Sequence, residues 1–229
     1  MGAPSPRQAC GTALDLGAAP TYIPIVMECA VQRACKGRPR EFDVEDALAA
    51  ALRVFWSKGY EGASLTDLTE AMGITRPSLY AAFGNKEALF RKALDLYERE
   101  KLAYVGEALK APTSREVAKR LLYGALEMQT SECEPRGCMR IISSVSCGAE
   151  AQSVREDLVM RRESSQRALC DRMQRAKDEG DLPDGTDVEG LCGYLGAILQ
   201  GMSVQAGSGA SKQQLEALVE TSLAMWPGK

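Results

Sequence analysis

The sequence predicts an all-α chain of about nine helices, with a short three-helix unit near the N-terminus and a larger helical domain behind it. Three observations carry this. Apolar residues recur at i, i+3, i+4 and i+7 in one segment after another. Most such segments have a capping residue in front and Gly or Pro behind. No period-2 run of useful length, no hairpin signal, no internal repeat and no low-complexity tract accompanies them. With 229 residues and 45% apolar content, the chain can bury one large or two modest cores.

Residues 1–36 hold Pro4, Pro6, Pro20 and Pro24 without a sustained period and read as a mobile arm, with Met27 as an alternative gene start inside it. From Asp43 the pattern changes. Val44, Ala47, Leu48, Ala51, Leu52 and Phe55 share one helical face, Asp43 is a plausible N-cap and Gly59 a stop. Ser64 with Asp67 opens a short second helix that carries Leu65, Leu68 and Met72 and ends at Gly73. Thr75 caps a third, with Pro77 in its first turn, where a missing N–H costs little. Gly84 ends it, and Asn85 caps a long fourth helix whose apolar face runs from Leu89 through Tyr97 to Leu102 and Val105. Five more helices are expected at 115–130, 138–147, 151–179, 187–206 and 212–225. Their breaks are Glu134-Pro135-Arg136-Gly137, Gly148, Leu182-Pro183-Asp184-Gly185 and Gly207-Ser208-Gly209.

The net charge of −3 argues against a general nucleic-acid coat protein, yet its distribution is uneven. Residues 1–95 carry eleven basic and eleven acidic side chains, so the negative excess lies downstream. Positive charge gathers at Lys36, Arg38 and Arg40 and again at Arg76, Lys86, Arg91 and Lys92. The chain has no histidine, which removes the commonest general base and the commonest metal ligand together. It also lacks a Walker sequence and a Gly-x-Gly-x-x-Gly turn after a strand, so no enzymatic activity, cofactor or metal is expected. No secretory signal and no run of 18 apolar residues is present, which predicts a cytoplasmic protein with mostly reduced cysteines.

Two short helices joined by Met72-Gly73-Ile74-Thr75 meet the requirements of a helix-turn-helix. The turn is tight, and the second helix starts cleanly enough for its first side chains to enter a major groove. Arg76 and Ser78 can hydrogen-bond bases or phosphates, Tyr80 can donate to a phosphate, and Lys86 adds charge to a helix start that already favours an anion. Tyr80 as a core tyrosine, and the 36–40 basic cluster as a merely solvated arm, are the plainer readings. The stretch from Gly59 to Leu68, and the stretch Gly73-Ile74-Thr75-Arg76-Pro77-Ser78-Leu79-Tyr80-Ala81-Ala82-Phe83-Gly84-Asn85-Lys86-Glu87-Ala88-Leu89-Phe90, resemble the second to fourth helices of TetR-family repressors. The resemblance covers about residues 38–95.

It implies a TetR-like fold. Residues 37–95 would be the DNA-binding domain, and 96–229 a variable helical domain for effector binding and dimerisation. It further implies a homodimer that binds double-stranded operator DNA as a transcriptional regulator, most simply a repressor released by a small-molecule or thiol-reactive effector. Carried onto this chain, Thr75, Arg76, Ser78, Tyr80 and Lys86 would contact DNA while Leu79 and Phe83 pack inward. Ser64, Pro77 and, reaching into a minor groove, Arg38 complete the set. Many relatives carry polar residues where this chain has Ala81 and Ala82, which shifts weight toward shape readout. Two other functions stay open: a structural DNA-binding dimer without an effector, and a cysteine-based Cu(I)-responsive regulator.

Eight cysteines stand at 10, 29, 35, 133, 138, 147, 170 and 192. Gly137-Cys138 resembles a subset of the family that includes electrophile sensors. Independently, a thiol in the first turn of a helix feels the positive end of the dipole, and Arg136 adds to that effect. Cys133 is the candidate resolving thiol. The alternatives are an ordinary buried cysteine, or soft-metal binding by Cys133, Cys138 and Cys147. Met139, Ile142, Met160 and Tyr194, with Met128 and Ile198, are candidates for an effector pocket. Repeated glycines at 193, 196 and 201, with Leu215, Leu218 and Leu223 on the last helix, are candidates for a dimer interface; a contact within the chain is the rival.

Overall fold

A computed structural model describes residues 42–146 and 151–228. Arg38, the N-terminal arm with Cys10, Cys29 and Cys35, and Cys147 with Gly148 therefore lie outside the described residues. Among the described residues, ten helices follow one another: α1 (Val44–Gly62), α2 (Leu65–Met72), α3 (Arg76–Phe83), α4 (Lys86–Lys101), α5 (Ala103–Ala108), α6 (Ser114–Gln129), α7 (Met139–Ser146), α8 (Gln152–Asp178), α9 (Val188–Gly207) and α10 (Lys212–Ala224). No strand occurs among the described residues. Nor is any helix there long and apolar enough to cross a membrane.

Helix starts follow the expected caps. Asp43 accepts from the amides of Glu45 and Asp46, Thr75 from Ser78, Asn85 from Ala88 and Asp187 from Gly190. Ser64 and Asp67 close a full capping box, and Ser211 with Gln214 forms a second that the sequence reading did not pick out. α1 carries a break at Gly59, where φ is 71°.

The expected fourth helix is two. Leu102 leaves helical geometry (φ −104°, ψ 7°) and separates α4 from α5. The cause is tertiary. Leu102 packs against the first of two apolar cores, whereas Tyr104, Val105 and Ala108 pack against the second. One straight helix presents one stripe, so the chain bends where it passes from one core to the other.

The first core joins α1 to α4 through Phe55, Trp56, Leu68, Leu79, Phe90 and Tyr97. It also takes in Met139 of α7 and Val154 and Leu158 of α8. The second joins α5, α6, the later part of α8, α9 and α10 through residues such as Leu122, Leu126, Met173, Leu195 and Leu215, and closes on Trp226. Burying one Leu or Phe stabilises by roughly 1.5–3 kcal/mol. Both cores are therefore substantial, and the loop from α6 to α7 lies where they adjoin.

Gly137 sits in that loop at φ 84°. Its carbonyl accepts the Trp56 indole N–H at 2.9 Å, and its own N–H donates to the Gln129 carbonyl at 3.3 Å. A Cβ here would lie 2.9 Å from the Ser203 carbonyl oxygen. Only glycine allows this conformation and this approach together.

Candidate nucleic-acid interface and internal cavity

α2, the turn and α3 form a compact outer edge. Gly73 adopts the left-handed conformation (φ 65°), and its N–H and that of Ile74 bond back to the Glu70 and Thr69 carbonyls, at 3.2 and 3.1 Å. The chain then turns straight into the Thr75 cap. Leu79 and Phe83 are buried in the first core, which fixes which way α3 faces. Thr75, Arg76, Pro77, Tyr80 and Ala81 are consequently exposed on the other side. Tyr80 is 49% exposed, so it is not a core tyrosine.

The polar groups of this face are ordered before any ligand arrives. Arg76 Nη2 donates to Thr66 Oγ1 at 2.9 Å, and the Thr75 and Ser78 hydroxyls lie 3.0 Å apart. Lys86 Nζ stands 4.6 Å from the centroid of the Tyr60 ring and 3.5 Å from the Glu61 carbonyl oxygen. Ser64 already uses its hydroxyl in the capping box, accepting from the Asp67 amide and donating to its carboxylate. The Lys58 ammonium, 2.6 Å from Asp67 Oδ1, holds the Asp67 carboxyl well below the usual carboxylate range, and the Ser64 amide adds to this. Thr66 and Tyr60 were not singled out from sequence. Thr66 follows the Ser64 cap by two residues, so its outward position on α2 was readable; the Tyr60–Lys86 contact spans two helices and was not.

A second feature lies inside the helical body. Helices α4 to α9 line a partly open cavity of about 470 Å³. Leu102, Val105, Leu121, Ala125, Leu169 and Leu199 give it apolar walls. Cys138 and Met128 also line it. The Tyr97 hydroxyl lies 3.3 Å from Cys138 Sγ and 3.5 Å from Met128 Sδ, and the Cys138 N–H donates to Ser203 Oγ at 2.7 Å. Burial keeps the Tyr97 phenol well above its ordinary pKa. At the rim, Arg161 pairs with Asp95 (2.7 Å), Glu98 (2.6 Å) and Asp157 (3.0 Å), and Arg140 lies 3.5 Å from Glu98.

The other pocket candidates fall elsewhere. Met139 is fully buried in the first core, and Ile142 is half-buried against it. Met160 is 62% exposed. Tyr194 and Ile198 are half-buried on α9 and are not among the cavity residues. A helical stripe gives a direction within one helix but not the depth at which neighbouring helices leave a space. Cys133 is exposed, and Arg136 points its guanidinium at the Ala210 carbonyl, 3.4 Å away; the cations that line the cavity with Cys138 are Arg140, Arg161 and Arg162.

The expected dimer residues divide. Leu215 is fully buried and Leu223 is 5% exposed, both in the chain's own second core, and Leu218 is half-buried against it. The apolar surface of Leu215 and Leu223 is used within the chain. At Gly196 an added Cβ would come within 3.2 Å of Gln166 Oε1, a contact within the chain. Gly193 and Gly201 have nothing within 4 Å of such a Cβ.

Comparison with known proteins gives the same picture. Residues 47–93 match the family profile described as bacterial regulatory proteins, tetR family, and residues 119–221 match one described as tetracyclin repressor-like, C-terminal domain. The HTH-type transcriptional repressor ComR of Escherichia coli (strain K12) is 36% identical over 194 residues, which is 84% of this chain and 92% of the relative. The uncharacterized HTH-type transcriptional regulator YezE of Bacillus subtilis (strain 168) is 32% identical over 192 residues, covering 82% of this chain and 98% of the relative. Among solved structures, a cysteine mutant of the TetR family transcriptional regulator CifR, complexed with 26 bp double-strand operator DNA, is similar at a TM-score of 0.79. It is 44% identical, covering 83% of this chain and 100% of that one. These relatives are transcriptional regulators and not enzymes.

Proposed function

The chain belongs to the TetR family of bacterial regulatory proteins, and we propose that it acts in the cytoplasm as a homodimeric repressor, released from its operator by a small molecule bound in the α4–α9 cavity. Residues 37–95 are taken as the DNA-binding unit and 96–229 as the effector and dimerisation unit. The observation that carries the reading is the outer face of α3. Thr75, Arg76 and Tyr80 stand exposed because Leu79 and Phe83 anchor the opposite face. A relative with 44% identity over its whole length is bound to operator DNA, which supports the same use of this face.

In this reading Arg76, Ser78 and Thr75 enter the major groove. Tyr80 and Lys86 meet phosphates, and Ser64 and Pro77 flank them. Gly193, Gly201, Ala197 and the 55%-exposed Val204 supply the open face of α9 for the second protomer. The cavity favours an effector-responsive regulator over a purely structural dimer. A second reading of the effector is also supported: Cys138 lines the cavity beside the Tyr97 hydroxyl, so a thiol-reactive compound entering there would meet a sulfur.

The test is an operator titration on the gene's own upstream region. Lys86→Ala should weaken binding to cognate and random DNA alike and lower the salt slope by about 1 per lost contact, about 2 per dimer. Arg76→Ala should cost about 1–3 kcal/mol on cognate DNA only. Repeating the titration with N-ethylmaleimide on wild type and Cys138→Ser separates the two effector readings, because only the thiol reading loses its response in the variant. Footprints of a single asymmetric half-site protected by a monomer would overturn the dimeric repressor.

A further inference from the structure

The apolar stripe of α6 runs through Val117, Ala118, Leu121, Leu122, Ala125 and Leu126, and its next position is a glutamine. Gln129 is 3% exposed, lines the cavity, and its Oε1 has no hydrogen-bond partner. A buried amide oxygen without a donor is unfavourable, and native proteins rarely keep one that nothing ever satisfies. Its backbone is not at fault, since the Gln129 carbonyl is engaged by the Gly137 N–H.

The charged groups of the lining argue against an ionic ligand. The Arg161 guanidinium is already shared among Asp95, Glu98 and Asp157, and Glu98 also faces Arg140. An anion would have to displace a carboxylate, and a cation would meet Arg140. Arg162, the remaining cation of the lining, is exposed. Burial holds the Tyr104 phenol well above its ordinary pKa, with Cys138 adding to the shift and Arg140 opposing it. The Tyr104 hydroxyl therefore stays neutral and protonated. The walls between these groups are apolar, and about 470 Å³ falls within the roughly 300–1,000 Å³ of small-molecule sites.

We propose that the cavity takes a small, neutral, largely apolar molecule carrying a hydroxyl group, and that the Gln129 side chain, whose Oε1 is shielded in the empty protein, turns toward the space to accept the ligand's hydrogen bond. This rests on the reading of the cavity as the effector site, and it assigns the chemistry of that effector. The ligand's body replaces contacts along Leu121, Ala125 and Leu169, while its hydroxyl supplies the one donor the site lacks.

The test uses matched probes: phenol, 4-propylphenol and 1-naphthol, each with its methyl ether and with the carboxylic acid of the same skeleton. Binding to the full-length, DNA-free protein is read by melting temperature and isothermal titration, and operator release is read separately by fluorescence anisotropy. At least one hydroxyl probe should bind wild type about tenfold more tightly than its ether, the value of one well-made hydrogen bond. In Gln129→Leu that preference should vanish through loss of hydroxyl-probe affinity. The variant's own melting temperature should not fall, because an orphan acceptor has been replaced by an apolar group of similar size. Equal binding of hydroxyl and ether in wild type, an unchanged preference in Gln129→Leu, preference for the carboxylates, or no binding by any hydroxyl probe would each overturn the proposal. Binding with the stated preference but without operator release would uphold the ligand class and overturn only the effector reading.

Discussion

The two apolar cores are made of different material. Every ring–ring contact among the described residues lies in the first: Phe55 with Phe90 and Tyr60, Tyr60 with Phe90, and Trp56 with Tyr97, at centroid distances of 4.9 to 6.4 Å. The second core is mainly aliphatic, with Trp226 as its one buried aromatic among the described residues, and the cavity borders it. Large rigid rings interlock and leave one arrangement. Short aliphatic side chains repack at lower cost and tolerate a space between helices. Under the proposed function, the DNA-reading end would move as a unit and the body would be the part that changes. Discrete rearrangement of a packed body, transmitted to a rigid head, is how helical switches act.

Truncation inside each core tests this contrast most strongly. Phe90→Ala is expected to cost about 3–5 kcal/mol in urea unfolding. Leu169→Ala, at the cavity wall, should stay near the low end for such a change, about 2 kcal/mol, since it loses contacts on one side only. Equal costs would break the comparison.

The joint between the cores comes next. Gly137→Ala must leave φ 84° or push against the Ser203 carbonyl, and should lower stability by about 1–3 kcal/mol. The Trp56 indole bonds to this residue's carbonyl, so its fluorescence should report the change. An unaltered melting temperature and emission would show that the two cores are not coupled there.

The smallest effect is electrostatic and confined to the head. The folded-state pKa of Asp67 is depressed, chiefly by Lys58. Its contribution is therefore complete above the unfolded value, about 3.9, and is lost as pH falls from there through the lower folded value. Wild type should exceed Asp67→Asn in stability at neutral pH, and the gap should close in acid below about pH 4. A gap independent of pH would assign the loss to the capping geometry alone.

Local signals made the head legible. Asp43, Ser64, Thr75 and Asn85 each bond to an amide two or three residues on, and Leu79 and Phe83 sit on one stripe of an eight-residue helix. The exposed set on α3 follows from those facts by subtraction. From α6 onward the same reasoning gave helix bounds to within a residue or two, but most of its pocket candidates do not line the cavity. Met139 and Met160 both lie outside the cavity, one in the first core and one at the surface. One signal was available and unused: Gln129 interrupts an otherwise apolar stripe, which marks a buried polar group in need of a partner.

By itself the sequence determined the all-helical class, the caps and breaks, the turn between α2 and α3, and the face of α3 turned outward. Each depends on residues within about one or two helical turns of one another. Only the tertiary structure decided the bend at Leu102, the meeting of Trp56 with Gly137, the internal use of Leu215 and Leu223, and the cavity with Gln129 in its wall. These depend on where separate helices come to rest against each other, and periodicity along one helix carries no information about that distance.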